Sequence, residues 1–230
     1  MTETKPAPAG FVFSATSALL ESASMKLNPW WHYQYSRVLA LFKRYDRAIE
    51  ELRVALEIDP SYSRAFGSLG FLYATLGRYQ LAVEQFRTAL SLEPNNAVLL
   101  FDLGYVYHLD KRYEQAIEAF QNAVRLNRKI DRAWYGLGLA LASVGRHEES
   151  AQALDEAAHL QPMNSLAWYE LGMAYHTLNR RDKLKEVIAH LNRYDPKTTL
   201  HLKRATEKPL NAVPPAEPLV TSGITAARQQ

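Results

Sequence analysis

An all-α solenoid of five helix–turn–helix units is the fold this sequence predicts, and three observations predict it. Prolines stand at 60, 94, 162 and 196, at intervals of 34, 68 and 34, with Arg128 at the one missing position. Gly70, Gly104, Gly138 and Gly172 repeat every 34 residues, as do Leu69, Leu103, Leu137 and Leu171 beside them. Ala48, Ala82, Ala116 and Ala151 keep the same interval to within one residue. A fixed period of this size marks stacked supersecondary units, none of which can bury its apolar face alone.

On this period the chain divides into an N-terminal segment, 1–28, five units at 29–62, 63–96, 97–130, 131–164 and 165–198, and a C-terminal segment, 199–230. In the leading segment Ala15, Leu19, Ala23 and Leu27 recur every four residues, a narrow apolar stripe that suits a cap helix. The second unit shows the internal plan. Phe66, Leu69, Gly70 and Tyr73 share one face of a first helix, and Gly77 suits the left-handed residue that ends it. Ala82, Phe86 and Ala89 line the inner face of a second helix, which Pro94 stops because proline lacks a donor and disfavours helical geometry before it. A glycine facing an alanine lets the two backbones approach closely. After Pro196, residues 198–208 suit a trailing cap helix with a weak stripe of Leu200, Leu202 and Ala205. The prolines at 209, 214, 215 and 218 predict a disordered tail.

Composition excludes more chemistry than it selects. The 230 residues are 47% hydrophobic and 22% charged, which argues against wholesale disorder. No cysteine is present, so disulfides, thiolate metal sites and cysteine nucleophiles are excluded. The net charge of +3 is too small to predict a nucleic-acid partner, and residues 28–195 are balanced at 20 basic and 20 acidic side chains. Ser14, Thr16, Ser17 and Glu21 interrupt the one stretch that resembles a secretory core. No apolar run approaches the roughly 20 residues of a membrane span. A cytoplasmic protein with no direct membrane insertion is the expectation.

The phased residues resemble a known family. Trp134, Leu137 and Gly138 with Ala151, Leu154, Ala157 and Pro162, and Trp168, Leu171, Gly172 and Tyr175 with Pro196, are similar to the tetratricopeptide repeat (TPR). The resemblance covers about three quarters of the chain and implies a right-handed α-solenoid. The end units depart from the pattern. His32, Tyr35 and Ser36 stand at the Trp, Leu and Gly positions of the first, and Leu184 and Leu191 replace alanines in the fifth, whose second helix should sit farther out.

The resemblance also implies a non-enzymatic scaffold that binds a peptide or helix of another protein on a concave face built by the first helices. Positions 2, 5, 9 and 12 of those helices form one stripe, seven of whose 20 residues are aromatic and three arginine, with no acid. The candidate groove residues are Tyr33, Arg37, Arg64, Phe71, Phe101, Tyr105, His108, Arg132, Tyr135, Tyr169, Met173 and His176. Aromatic anchors and arginines suit a partner with apolar side chains and some acidic character. Tyr33, Phe101, Tyr135 and Tyr169 occupy a position that is commonly aromatic in the family, so supporting neighbouring helices explains them equally well. Phe71, Tyr105 and Met173 are less generic. The pattern that clamps chaperone C-terminal tails is missing: its places hold Tyr33, Arg37, Ser68, Val98 and Asp102, and a frame shifted by one unit fares no better.

Catalytic motifs are weak. Gly136, Leu137 and Gly138 look like the start of a phosphate loop but fall within a helix. The seven histidines include no pair at metal-ligating spacing on a helix face, and neither metal nor cofactor is expected. The alternative to a groove-binding adaptor or assembly factor is a constitutive subunit of a larger complex that uses the convex face and termini. Self-association through the end repeats, and occupation of the groove by Phe11, Val12 and Phe13, are further options.

Overall fold

The computed structural model describes residues 28–207. Among them are eleven helices and no strand. Five pairs follow one another: α1 (Pro29–Leu41) with α2 (Tyr45–Ile58), α3 (Ser63–Thr75) with α4 (Tyr79–Leu92), α5 (Ala97–Leu109) with α6 (Tyr113–Leu126), α7 (Asp131–Ser143) with α8 (His147–Leu160), and α9 (Ser165–Thr177) with α10 (Arg181–Tyr194). A single helix, α11 (Pro196–Glu207), closes the series. Each pair packs on itself and on the next, so the molecule is a helical solenoid.

The turn inside each pair is built the same way. Lys43, Gly77, Lys111, Gly145 and Asn179, 34 residues apart, all take left-handed backbone, with φ of 57°, 71°, 58°, 78° and 52°. The next residue is an arginine each time, and its N–H returns to the carbonyl five residues back, as in Arg44 to Leu39 and Arg112 to Tyr107, both 2.8 Å. That pattern satisfies carbonyls left free at the helix end. The starts of alternate first helices also share a device. Asn28, Asn96 and Asn164, 68 apart, cap α1, α5 and α9 with their side-chain oxygens.

In the second, third and fourth pairs the repeat glycine lies under a large side chain of the second helix. A Cβ on Gly70 would come 2.8 Å from the Phe86 ring, one on Gly104 2.8 Å from Phe120, and one on Gly138 2.5 Å from Leu154. Ala48, Ala82 and Ala116, at the fourth position of their second helices, are fully buried. In the fourth pair the structure corrects the alignment. Ser150, not Ala151, holds the in-phase position, fully buried, and its hydroxyl donates to the Gly138 carbonyl at 2.8 Å. Serine is small enough for the close approach, and that bond removes the cost of burying its hydroxyl.

The fifth pair is the most loosely packed, as Leu184 and Leu191 predict. Helix α11 compensates by inserting Leu202, fully buried, against Gly172, where a Cβ would meet it at 2.6 Å. The helix starts at Pro196 rather than 198, because Asp195 caps it. The Asp195 carboxylate accepts from the Thr198 N–H at 3.1 Å and the Thr198 hydroxyl at 2.7 Å, with proline at the first helical position. Of its expected stripe, Leu202 is buried and Leu200 exposed. The leading cap helix and the proline-rich tail lie outside the described residues.

Candidate functional site

Which side of the array can receive a partner follows from helix contacts. The first helices touch one another across units, α3 with α5, α5 with α7 and α7 with α9, and so make the inner side. Reaching that side requires small residues at the crossings. Gly67 leaves room for Leu99, 3.0 Å from where its Cβ would be, and Gly136 for Phe120 at 2.6 Å. Both glycines of the loop-like Gly136–Gly138 motif therefore serve packing within α7, one against each neighbouring helix.

Among the twelve candidates, Arg37, Arg64 and Arg132 are exposed and the other nine are half-buried. Tyr33, Phe71, Phe101, Tyr105, Tyr135, Tyr169 and Met173 rest on the apolar core with part of their surface open. They support helices and face solvent at once.

The structure joins several of them into local groups. Tyr33 meets Tyr62 edge-on at 5.4 Å, with the Arg37 guanidinium 6.0 Å from its ring centre. Phe101 stacks on Tyr105 at 6.5 Å, rests against Phe120 at 6.0 Å and carries the Arg132 guanidinium 5.4 Å above its ring. That guanidinium spans adjacent units and remains exposed, so its hydrogen-bonding edge is available to an anion. Arg64 lies near the first group, where its charge acts on the Tyr62 hydroxyl.

Burial sets the ionisation of the inner face. It pushes the hydroxyls of Tyr105, Tyr135 and Tyr169 above the ordinary tyrosine value. It lowers the His108 imidazole, which meets Tyr113 edge-on at 5.4 Å. His108 Nδ1 and the equivalent His176 Nε2 are buried without a hydrogen-bond partner among the described residues.

Sequence reasoning missed two acids. Asp102 and Glu170, at the sixth position of their helices, are half-buried. Burial raises the Glu170 carboxyl above the ordinary range, and its charge acts on the hydroxyls of Tyr135 and Tyr169. The inner side therefore carries arginines in its first, second and fourth units and acids in its third and fifth. A stripe at positions 2, 5, 9 and 12 could not reveal this, since position 6 reaches the face only through neighbouring tyrosines.

A surface depression lies elsewhere, at the loop edge between Pro94 and Asn127, with Val98 and Leu126 in its lining and none of the twelve candidates. Among the described residues no group of three histidines or carboxylates is placed to hold a metal ion. No helix among them is long and apolar enough to cross a membrane.

Two family models, both described as tetratricopeptide repeat, match the chain, one at residues 69–129, 111–162 and 135–183 and the other at 32–62. No curated protein is significantly similar to it in sequence. Among solved structures, YrrB, described as a TPR protein with an unusual peptide-binding site, is 26% identical with a TM-score of 0.66, over 82% of this chain and 97% of its own. MamA from Desulfovibrio magneticus RS-1 is 23% identical with a TM-score of 0.64, over 78% and 97%. PilF of Pseudomonas aeruginosa is 21% identical with a TM-score of 0.67, over 78% and 84%. The last two likenesses are of fold alone.

Proposed function

The chain belongs to the tetratricopeptide repeat family, whose members are protein-interaction scaffolds, and on that premise we propose that it is a non-enzymatic adaptor or assembly factor holding a segment of another protein along its inner face. The observation that carries this is the pairing of exposed Arg132 with the half-buried Phe101–Tyr105 stack across two units. Apolar anchors of a partner peptide or helix would cover the open aromatic surface, and its acidic groups would meet Arg37, Arg64 and Arg132. A bidentate arginine–carboxylate bond fixes register as well as adding affinity. The likeness to YrrB, a peptide-binding TPR protein, supports this mode of use. The five units at 29–198, the flanking segments 1–28 and 199–230, and a cytoplasmic location are part of the same proposal.

A constitutive structural role is favoured by a different observation. Leu92, Leu126, Leu160 and Tyr194, the last residues of four second helices, are exposed at intervals of 34 and form an apolar row along one edge. A partner laid on that row would leave the inner face free. Pull-down with the triple variant Phe71→Ala, Tyr105→Ala, Arg132→Glu separates the two: an inner-face partner is lost, whereas an edge partner stays bound.

A further inference from the structure

One flank of α1 is apolar and uncovered. Trp31 is 40% exposed, Tyr35 47%, Val38 49% and Phe42 71%. One period later, Ala65, Leu69 and Leu72 are buried, and the same positions of α5, α7 and α9 are buried too. What covers them is the preceding second helix: α2 on α3, α4 on α5, α6 on α7 and α8 on α9. Among the described residues α1 has no such neighbour.

We propose that residues 11–24 form an unpaired second helix that covers this flank, so that the array begins on half a unit. The inference is independent of what the inner face binds. Its support is the phase of the sequence, since residues 11–24 lie one period of 34 before α2 at 45–58. Phe11 is in phase with Tyr45, Tyr79 and Tyr113, aromatic residues that open the second helices. Ala15 is in phase with Ile49, Val83 and Ile117, which are buried. Leu19 is in phase with Arg53 and Arg87, and these reach across to the next first helix, Arg53 to the Tyr73 hydroxyl at 3.3 Å and Arg87 to that of Tyr107 at 2.9 Å. The first unit has Leu39 at the tyrosine position, so the polar pair is replaced at both ends by leucine.

The opposite face agrees. In complete units the fourth, eighth and eleventh residues of the second helix, such as Ala82, Phe86 and Ala89, are buried. A leading half unit has no first helix to cover them, and there the segment carries Ser14, Ala18 and Glu21, which suit water. The connection is short, as Leu27 adjoins Asn28, the cap of α1. A second copy stacked head-to-tail fits less well: around its one exposed leucine, Leu200, α11 would bring Lys197, His201, Lys203 and Arg204, all exposed, against the rings of Trp31 and Tyr35.

The full chain has no cysteine, so paired substitutions report cleanly. Tyr35→Cys, at an exposed site, is combined in turn with cysteine at 14, 15, 18, 19 and 21, and disulfide formation is followed under mild oxidation. Bonds within one chain at 15 and 19, about tenfold faster than at 14, 18 and 21, are the expected result. Equal rates at all five, bonds between chains, no bonds, or faster bonding of Ala15→Cys to Phe71→Cys on the inner face would each overturn the proposal.

Discussion

Phe120 lies directly against Gly136. Its fully buried ring occupies the space that a side chain at 136 would need, with Cζ 2.6 Å from the position of a Cβ. Gly104 bounds the other side of the ring at 2.8 Å, so one phenylalanine of α6 is wedged between α5 and α7 and locks two units together.

Gly136→Ala should therefore destabilise the protein by about 1–3 kcal/mol through overpacking, read from the urea midpoint. Gly145→Ala is the informative contrast. Nothing lies within 4 Å of its Cβ position, but its φ is 78°. Its cost, about 1 kcal/mol, comes from backbone strain alone. Combining Gly136→Ala with Phe120→Leu should recover part of the loss, whereas combining Gly145→Ala with Phe120→Leu should not.

Glu170 makes stability depend on pH. Burial raises its carboxyl above the ordinary 4.5. Below that ordinary value the group is protonated in folded and unfolded chains alike, and no penalty applies. As pH rises toward the folded value, the folded chain must release a proton at a cost that the unfolded chain does not bear, so stability falls. Glu170→Gln should be more stable than the native chain at neutral pH, and the difference should vanish below about pH 4, as thermal melts across that range would show.

Asp195 acts in the opposite sense. Hydrogen bonds from the Thr198 hydroxyl and N–H, with a further one from Ser165, hold its carboxyl down at about 2. The resulting stabilisation of α11 is present above the ordinary value of 3.8 and is lost as pH falls through about 2. Asp195→Ala should remove that dependence and expose amides of α11 to hydrogen exchange at neutral pH, while α1 to α8 keep their protection.

How far the sequence could be read depended on what each position demanded. Gly104 and Gly138 were legible because any side chain there would press on the large residue packed above it. The in-phase Ser150 was not, since its hydrogen bond to Gly138 exists only once the helices are packed. Three of the five left-handed turns were equally hidden: Lys43, Lys111 and Asn179 adopt the conformation without glycine, held by the carbonyl bonds that close the turn. On the inner face the aromatic and arginine stripe could be read from helical spacing. The nearness of Glu170 to Tyr135 could not, because it arises from the stacking of one unit on the next.

Crosslinking mass spectrometry of the native complex tests the central claim most directly, because it reports which surface meets the partner. With a photoreactive residue placed in turn at Phe71, Tyr105 and Tyr169 on the inner side, and at Leu92, Leu126 and Leu160 on the edge, the first three should capture one and the same partner segment, rich in apolar and acidic residues. Capture confined to Leu92, Leu126 and Leu160 would contradict the account and assign binding to the apolar row instead.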